Sequence, residues 1–191
     1  MLFIDKYPFD KIRTFCKILA YDRCNNLIWT LPVGANKIVT TGRQLLSRLL
    51  GGLPGGATTM QTATRTVNIG GVADLYVEYM QFGSGGHNPV TSAALGVSPS
   101  DESLNVPLTS IPAKPVTVSY PGTPPGDKAI EFTAGIDYAE ANGDTLSEFG
   151  LFTRSIISSP SDALMFAKKN HAPPIVKDAS FRLEYKHRII F

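Results

Sequence analysis

Two runs of strict alternation constrain this chain most. Ile130, Phe132, Ala134, Ile136 and Tyr138 take every second position of one stretch, and Phe181, Leu183, Tyr185 and His187 take every second position of another. A period of two places such side chains on one face of an extended strand, whereas a helix would scatter them around its circumference. Shorter apolar segments at 116–120, 148–153 and Leu164-Met165-Phe166-Ala167 are separated by Pro- and Gly-containing turns. Residues 14–33 predict a hairpin: Phe15, Ile18 and Ala20 lead in, Asp22-Arg23-Cys24-Asn25-Asn26 supplies turn chemistry, and Leu27-Ile28-Trp29 leads out. Val72, Leu75, Val77, Tyr79 and Phe82 predict a long strand with one irregularity, ended by Gly83-Ser84-Gly85-Gly86. Regular short strands of this kind predict a mainly β fold, an antiparallel β-sandwich or a barrel-like closure, with long loops at 51–71 and 83–113.

One helix interrupts the pattern. Over residues 40–50, Thr40 or Thr41 can cap the start, and Leu45, Leu46, Leu49 and Leu50 form one apolar stripe. Gly51-Gly52 ends it, and Arg43 and Arg48 lie off the stripe. A second, single helical turn is expected at Asp101-Glu102-Ser103-Leu104. The predicted organisation is an N-terminal arm over 1–13 and one sandwich domain over 14–191 that includes the helix.

Charge excludes some functions. Only 18% of the 191 residues are charged and the net charge is +2, too little for a protein that neutralises many phosphates, so no nucleic-acid partner is expected. The basic clusters Lys168-Lys169 and Lys186-His187-Arg188 read as solvated faces or contact rims. The start of the chain lacks a signal-peptide pattern and no apolar stretch is long enough for a bilayer, so no membrane partner is expected. Cys16 and Cys24 do not face each other across the predicted hairpin. They are expected to be free thiols, as in a reducing cytoplasm, with a bridge between chains as the alternative.

The residues of catalysis and metal binding do not converge in the sequence. His87, His171 and His187 lie far apart and away from the cysteines, without zinc spacing. Gly83-Ser84-Gly85-Gly86 lacks the lysine and the strand-to-helix context of a phosphate loop, and its spacing is not that of a nucleophile elbow. Asp137, Glu140, Asp144 and Glu148 crowd the sequence, but Ala141-Asn142-Gly143-Asp144 reads first as a hairpin turn. No enzyme activity, cofactor or metal is expected. Glu148 is expected to point outward, with backbone hydrogen bonds at a turn as the alternative. Leu151 and Phe152 are expected in the core, Gly150 at a close backbone approach, and Lys177 at a turn.

The ordered landmarks carry a resemblance. They are Ile38-Val39-Thr40-Thr41-Gly42-Arg43-Gln44-Leu45-Leu46, then Tyr79-Met80-Gln81-Phe82-Gly83-Ser84-Gly85-Gly86, then Asp101-Glu102-Ser103-Leu104. Glu140-Ala141-Asn142-Gly143, Ser147-Glu148-Phe149-Gly150-Leu151-Phe152 and Pro173-Pro174-Ile175-Val176-Lys177 follow. Over residues 14–191 this order resembles the virion structural proteins of tailed bacteriophages, of the tail, baseplate, neck or fibre-attachment type. The resemblance implies a non-enzymatic sandwich, made in the host cytoplasm, that joins the particle through contacts with other copies of itself and with other phage structural proteins. The expected contacts are Tyr7, Pro8 and Phe9 in the arm, and Leu53, Thr59, His87 and Val106 in the two loops. The alternative is a receptor- or glycan-binding module of a fibre, using exposed aromatics such as Tyr120 and Tyr138.

Overall fold

The computed structural model describes residues 12–51, 58–64, 66–121, 129–153 and 163–191. In chain order the elements are β1 (Arg13–Asp22), β2 (Leu27–Gly34), β3 (Lys37–Ile38), α1 (Thr40–Gly51), β4 (Thr58–Gln61), β5 (Thr66–Ile69) and a 3-10 turn (Val72–Leu75). Then come β6 (Val77–Gly83), β7 (Lys114–Pro115), β8 (Thr117–Ser119), β9 (Ala129–Ile136), β10 (Thr145–Thr153), β11 (Met165–Val176) and β12 (Phe181–Ile190). Two antiparallel five-stranded sheets, ordered β2-β1-β12-β9-β8 and β3-β11-β10-β6-β7, enclose one apolar core, and β4 and β5 form a separate small hairpin. The mainly β, sandwich-like fold with one helix is the one the alternation predicts.

Local chemistry accounts for the elements that the sequence predicts best. Asp22 builds the first turn, its carboxylate accepting the Cys24 and Asn26 N–H groups at 2.9 and 2.8 Å while Asn25 takes a left-handed φ of 64°. In β12 the alternation is almost complete: Leu183, Tyr185, His187 and Ile189 are buried between the sheets and the residues between them face outward. Helix α1 starts at Thr40 as expected and inserts Leu45 into the core, but only the near half of its stripe is covered. Leu50 is 89% exposed.

Several expectations are corrected. The segment Val72–Leu75 is a 3-10 turn rather than the start of a strand, because the Asp74 carboxylate accepts the Gly70 N–H at 2.7 Å and curls the chain. Within 51–71 the chain forms the β4–β5 hairpin instead of one long loop. No helical turn forms at residues 101–104. The predicted short strand at 164–167 extends to Val176, and its length is hidden because most of it is buried on both faces and so does not alternate. The Ala141–Asp144 turn is not a hairpin: β9 and β10 belong to different sheets, and the turn carries the chain from one to the other, with positive φ at Ala141 (53°) and Gly143 (89°).

Two glycines mark close backbone approaches. A Cβ on Gly42 would lie 2.0 Å from the Phe166 carbonyl oxygen, so α1 can touch β11 only through a glycine. A Cβ on Gly86 would lie 2.1 Å from the Ser147 carbonyl oxygen. Steric overlap of this depth forces backbone movement. Gly42→Ala and Gly86→Ala are each expected to lose at least about 2 kcal/mol of stability in urea melts. Gly51→Ala, whose new methyl would meet nothing within 4 Å, is the control expected to stay within about 0.5 kcal/mol of the parent.

Candidate functional site

The most chemically loaded place in the molecule lies on the outer face of the second sheet. Strand β10 has Leu146, Phe149 and Leu151 in the main core, which turns Glu148, Gly150 and Phe152 to the other side. That side is not solvent. The long connection from Ser84 onward folds back over it, Leu104 packing with Val39, Phe152, Ala163 and Met165 in a second apolar cluster. Gly150 sits beneath this cover, where a Cβ would meet Leu104 at 3.2 Å and Met165 at 3.3 Å.

Glu148 is fully buried there, so the favoured outward position is corrected and the alternative, backbone hydrogen bonds, is the one observed. Its Oε1 accepts the N–H groups of Val106 (2.8 Å) and Gly85 (3.0 Å), and its Oε2 accepts the Asn105 N–H (2.9 Å). Lys168, on the neighbouring strand and equally buried, places Nζ 3.5 Å from Glu148 Oε2 and 3.2 Å from Asp101 Oδ2. It donates to Asn105 Oδ1 at 2.6 Å and to the Ser103 carbonyl at 3.2 Å. Lys168 is therefore not part of a solvated basic face. The carboxylate is saturated by three N–H donors and an ammonium, and the ammonium by four oxygens. Both charges hold the loop on the sheet, and neither has free capacity for a substrate.

Other polar groups are spent in the same manner. Lys177, fully buried, donates to the Asp178 and Tyr138 carbonyls and to Asn142 Oδ1, closing the turn as expected. Of the four neighbouring carboxylates, Asp137 accepts the Tyr138 N–H, Glu140 binds Lys114 and the Asp137 N–H, Asp144 accepts the Ser110 hydroxyl, and Glu148 is committed as above. Among the described residues, no group of three or more His, Cys, Asp or Glu could hold a metal ion. His187, expected on a solvated rim, is fully buried beside Asn36, and burial pushes it down to about 3. Burial likewise lowers His171 to about 4, where it packs against Phe149 and Tyr185. Both cysteines are free. Burial pushes the Cys16 thiol up to about 12, and Cys24 is exposed.

The expected contact residues fall in different places. Tyr7, Pro8, Phe9 and Leu53 lie outside the described residues. Thr59 is exposed on β4, and its carbonyl accepts the Arg48 guanidinium at 3.0 Å. His87 is half-buried and bridges to Ala94. Val106 exposes half of its side chain while its N–H is held by Glu148. The two loops do meet: Glu102 accepts the N–H groups of Ala63 and Thr64 and the Thr64 hydroxyl. Burial raises the Glu102 carboxyl, but these hydrogen bonds outweigh it and leave it below the ordinary carboxylate range. Of the two candidate tyrosines, Tyr138 gives its hydroxyl to the Asp22 carbonyl and lies under the Arg23 guanidinium, whereas Tyr120 is 65% exposed.

Sequence reasoning did not find two exposed apolar surfaces. On the first sheet, β2 is an edge strand with Leu27 and Ile28 half-exposed at its start. At one end of the sandwich an open apolar groove of about 520 Å³ runs between α1, the 3-10 turn, β8 and the end of β12, with Leu49, Tyr76, Val118, Tyr120 and Phe191 at its mouth. The excess of apolar residues in α1 over what its one buried face can use was the available signal for the groove. No family model, curated protein or solved structure matches the chain.

Proposed function

We propose that this chain is a structural protein of a tailed-phage virion, assembling by protein–protein contacts in the tail, baseplate, neck or fibre-attachment region. The observation that carries the assembly reading is the open edge of β2. Leu27-Ile28-Trp29-Thr30-Leu31, ahead of Pro32, pair with β1 on one side only among the described residues, and two of their apolar side chains are half-exposed. Such an edge templates pairing with another chain unless it is covered. The commitment of Glu148, Lys168 and Lys177 to holding loops supports the same reading, since a rigid surface lowers the entropy cost of docking. The phage assignment rests on the ordered landmarks alone, among them Gly42 and Gly86, which the close approaches at Phe166 and Ser147 require.

Sedimentation of the purified chain, together with mass spectrometry of purified particles, tests the proposal. The expected result is a defined oligomer and the chain's peptides in the particle. Ile28→Lys, at an exposed position, is expected to shift the oligomer toward monomer without lowering the urea midpoint. A parent chain that is monomeric at all concentrations and absent from particles would overturn the reading.

A further inference from the structure

The groove at the end of the sandwich is mostly apolar, its single charged lining residue among the described residues being Glu78. An open cavity lined by Leu49, Leu75, Val118, Phe132 and Phe191 gains free energy when an apolar group displaces its water. The position of the chain's own start decides what fills it. Arg13, the first residue of β1, pairs with Ile190 of β12, and the flanking residues Ile189 and Phe191 line the groove. Arg13 therefore stands about one strand spacing, roughly 4.8 Å, from the groove wall.

Reach and composition agree. From β1 across β12 and β9 to β8 is three strand spacings, about 14 Å, which four or five extended residues span. Leu2, Phe3, Ile4, Tyr7 and Phe9 make five of the eight residues 2–9 large and apolar, and Lys6 supplies a partner for Glu78. The other stretches outside the described residues are poorer: 52–57 holds Leu53, 122–128 holds no large apolar side chain, and 154–162 holds Ile156 and Ile157. A segment tethered this closely acts at a local concentration in the millimolar range, above that of any second copy in dilute solution.

We propose that the groove is the seat of the chain's own N-terminal segment, residues 2–9, folded back onto the domain that it leads into. The contact is intramolecular in the isolated chain and does not depend on the assembly reading. The test uses the full chain with Cys24→Ser, so that no exposed native thiol remains, and adds Phe3→Cys with Leu49→Cys. A short bismaleimide is applied at low protein concentration, and products are read by intact mass and denaturing gel. The expected product is an internally cross-linked monomer, several-fold more abundant than from the control pair Phe3→Cys with Leu27→Cys, at the tip of the first hairpin. Equal yields from the two pairs, or products linked only between chains, would overturn the inference. In a second measurement, deletion of residues 2–9 is expected to raise the fluorescence of a hydrophobic dye several-fold. An unchanged signal from a folded deletion variant would also overturn it. Sedimentation of the parent separates the two proposals. An oligomer with interchain links alone removes this inference and keeps assembly, and a monomer with internal links does the opposite.

Discussion

Glu148→Ala is expected to destabilise the protein by about 3 kcal/mol, because the buried Lys168 ammonium loses one of its two carboxylates and is left with the partly exposed Asp101. Three backbone N–H groups, of Gly85, Asn105 and Val106, lose their acceptor in the same step. Each unsatisfied buried donor adds to the loss. The effect should be spatially graded. The main core between the sheets contains none of these groups, so the connection over residues 84–106 should open before the sandwich does. Limited proteolysis of the variant is expected to cut first in that connection, under conditions in which the parent is intact. Lys168→Met should be milder, because Glu148 keeps its three N–H donors, and the pair Glu148→Gln with Lys168→Met should recover part of the alanine loss. Equal urea midpoints for parent and Glu148→Ala would show that the carboxylate does not hold the loop.

Mild acid is the second large effect. His187 and His171, with pKa values of about 3 and about 4 in the folded chain, stay neutral there, while in the unfolded chain they take up a proton near 6.5. Below 6.5 the unfolded state therefore binds more protons, and stability falls as the pH is lowered toward the folded values. At pH 5 each buried histidine is expected to have lost about 2 kcal/mol relative to neutral pH, about 4 kcal/mol for both. Both rings are essentially inaccessible, so solvent screening does not reduce this. Urea midpoints at pH 7 and pH 5 measure the loss. His187→Gln keeps a neutral partner for Asn36 and is expected to remove about half of the pH dependence. A parent midpoint that does not move between the two pH values would contradict the burial of both rings.

The strands legible in the sequence are those with one wet face. The alternation of β9 and β12 translates directly into inward and outward side chains because their outer face is solvated. Strands β10 and β11 break that assumption. The connection from Ser84 covers the outer face of their sheet, so Glu148 and Lys168 occupy positions that would be solvated on an open sheet but are sealed here. No local rule reports that a loop tens of residues away will return to cover a strand, and this one fact explains why both charges were misread. The glycine landmarks were visible, but their cause was not. Gly42 and Gly86 reflect contacts with β11 and β10, far along the chain, rather than any need of their own turn. The candidate contact residues Thr59, His87 and Val106 were legible only as loop positions. Their division between hairpin, bridge and carboxylate ligand depends on tertiary packing.

Strand β1 has β12 as its longest neighbour, paired over ten positions from Arg13–Ile190 to Asp22–Phe181. Strand β1 thus waits for β12, the described strand furthest from it in sequence, before its sheet can close. Loop-closure entropy across the long stretch between them is met before these contacts form, which slows folding. Because each is the other's longest partner, β1 and β12 are expected to lose their amide protection together in hydrogen exchange.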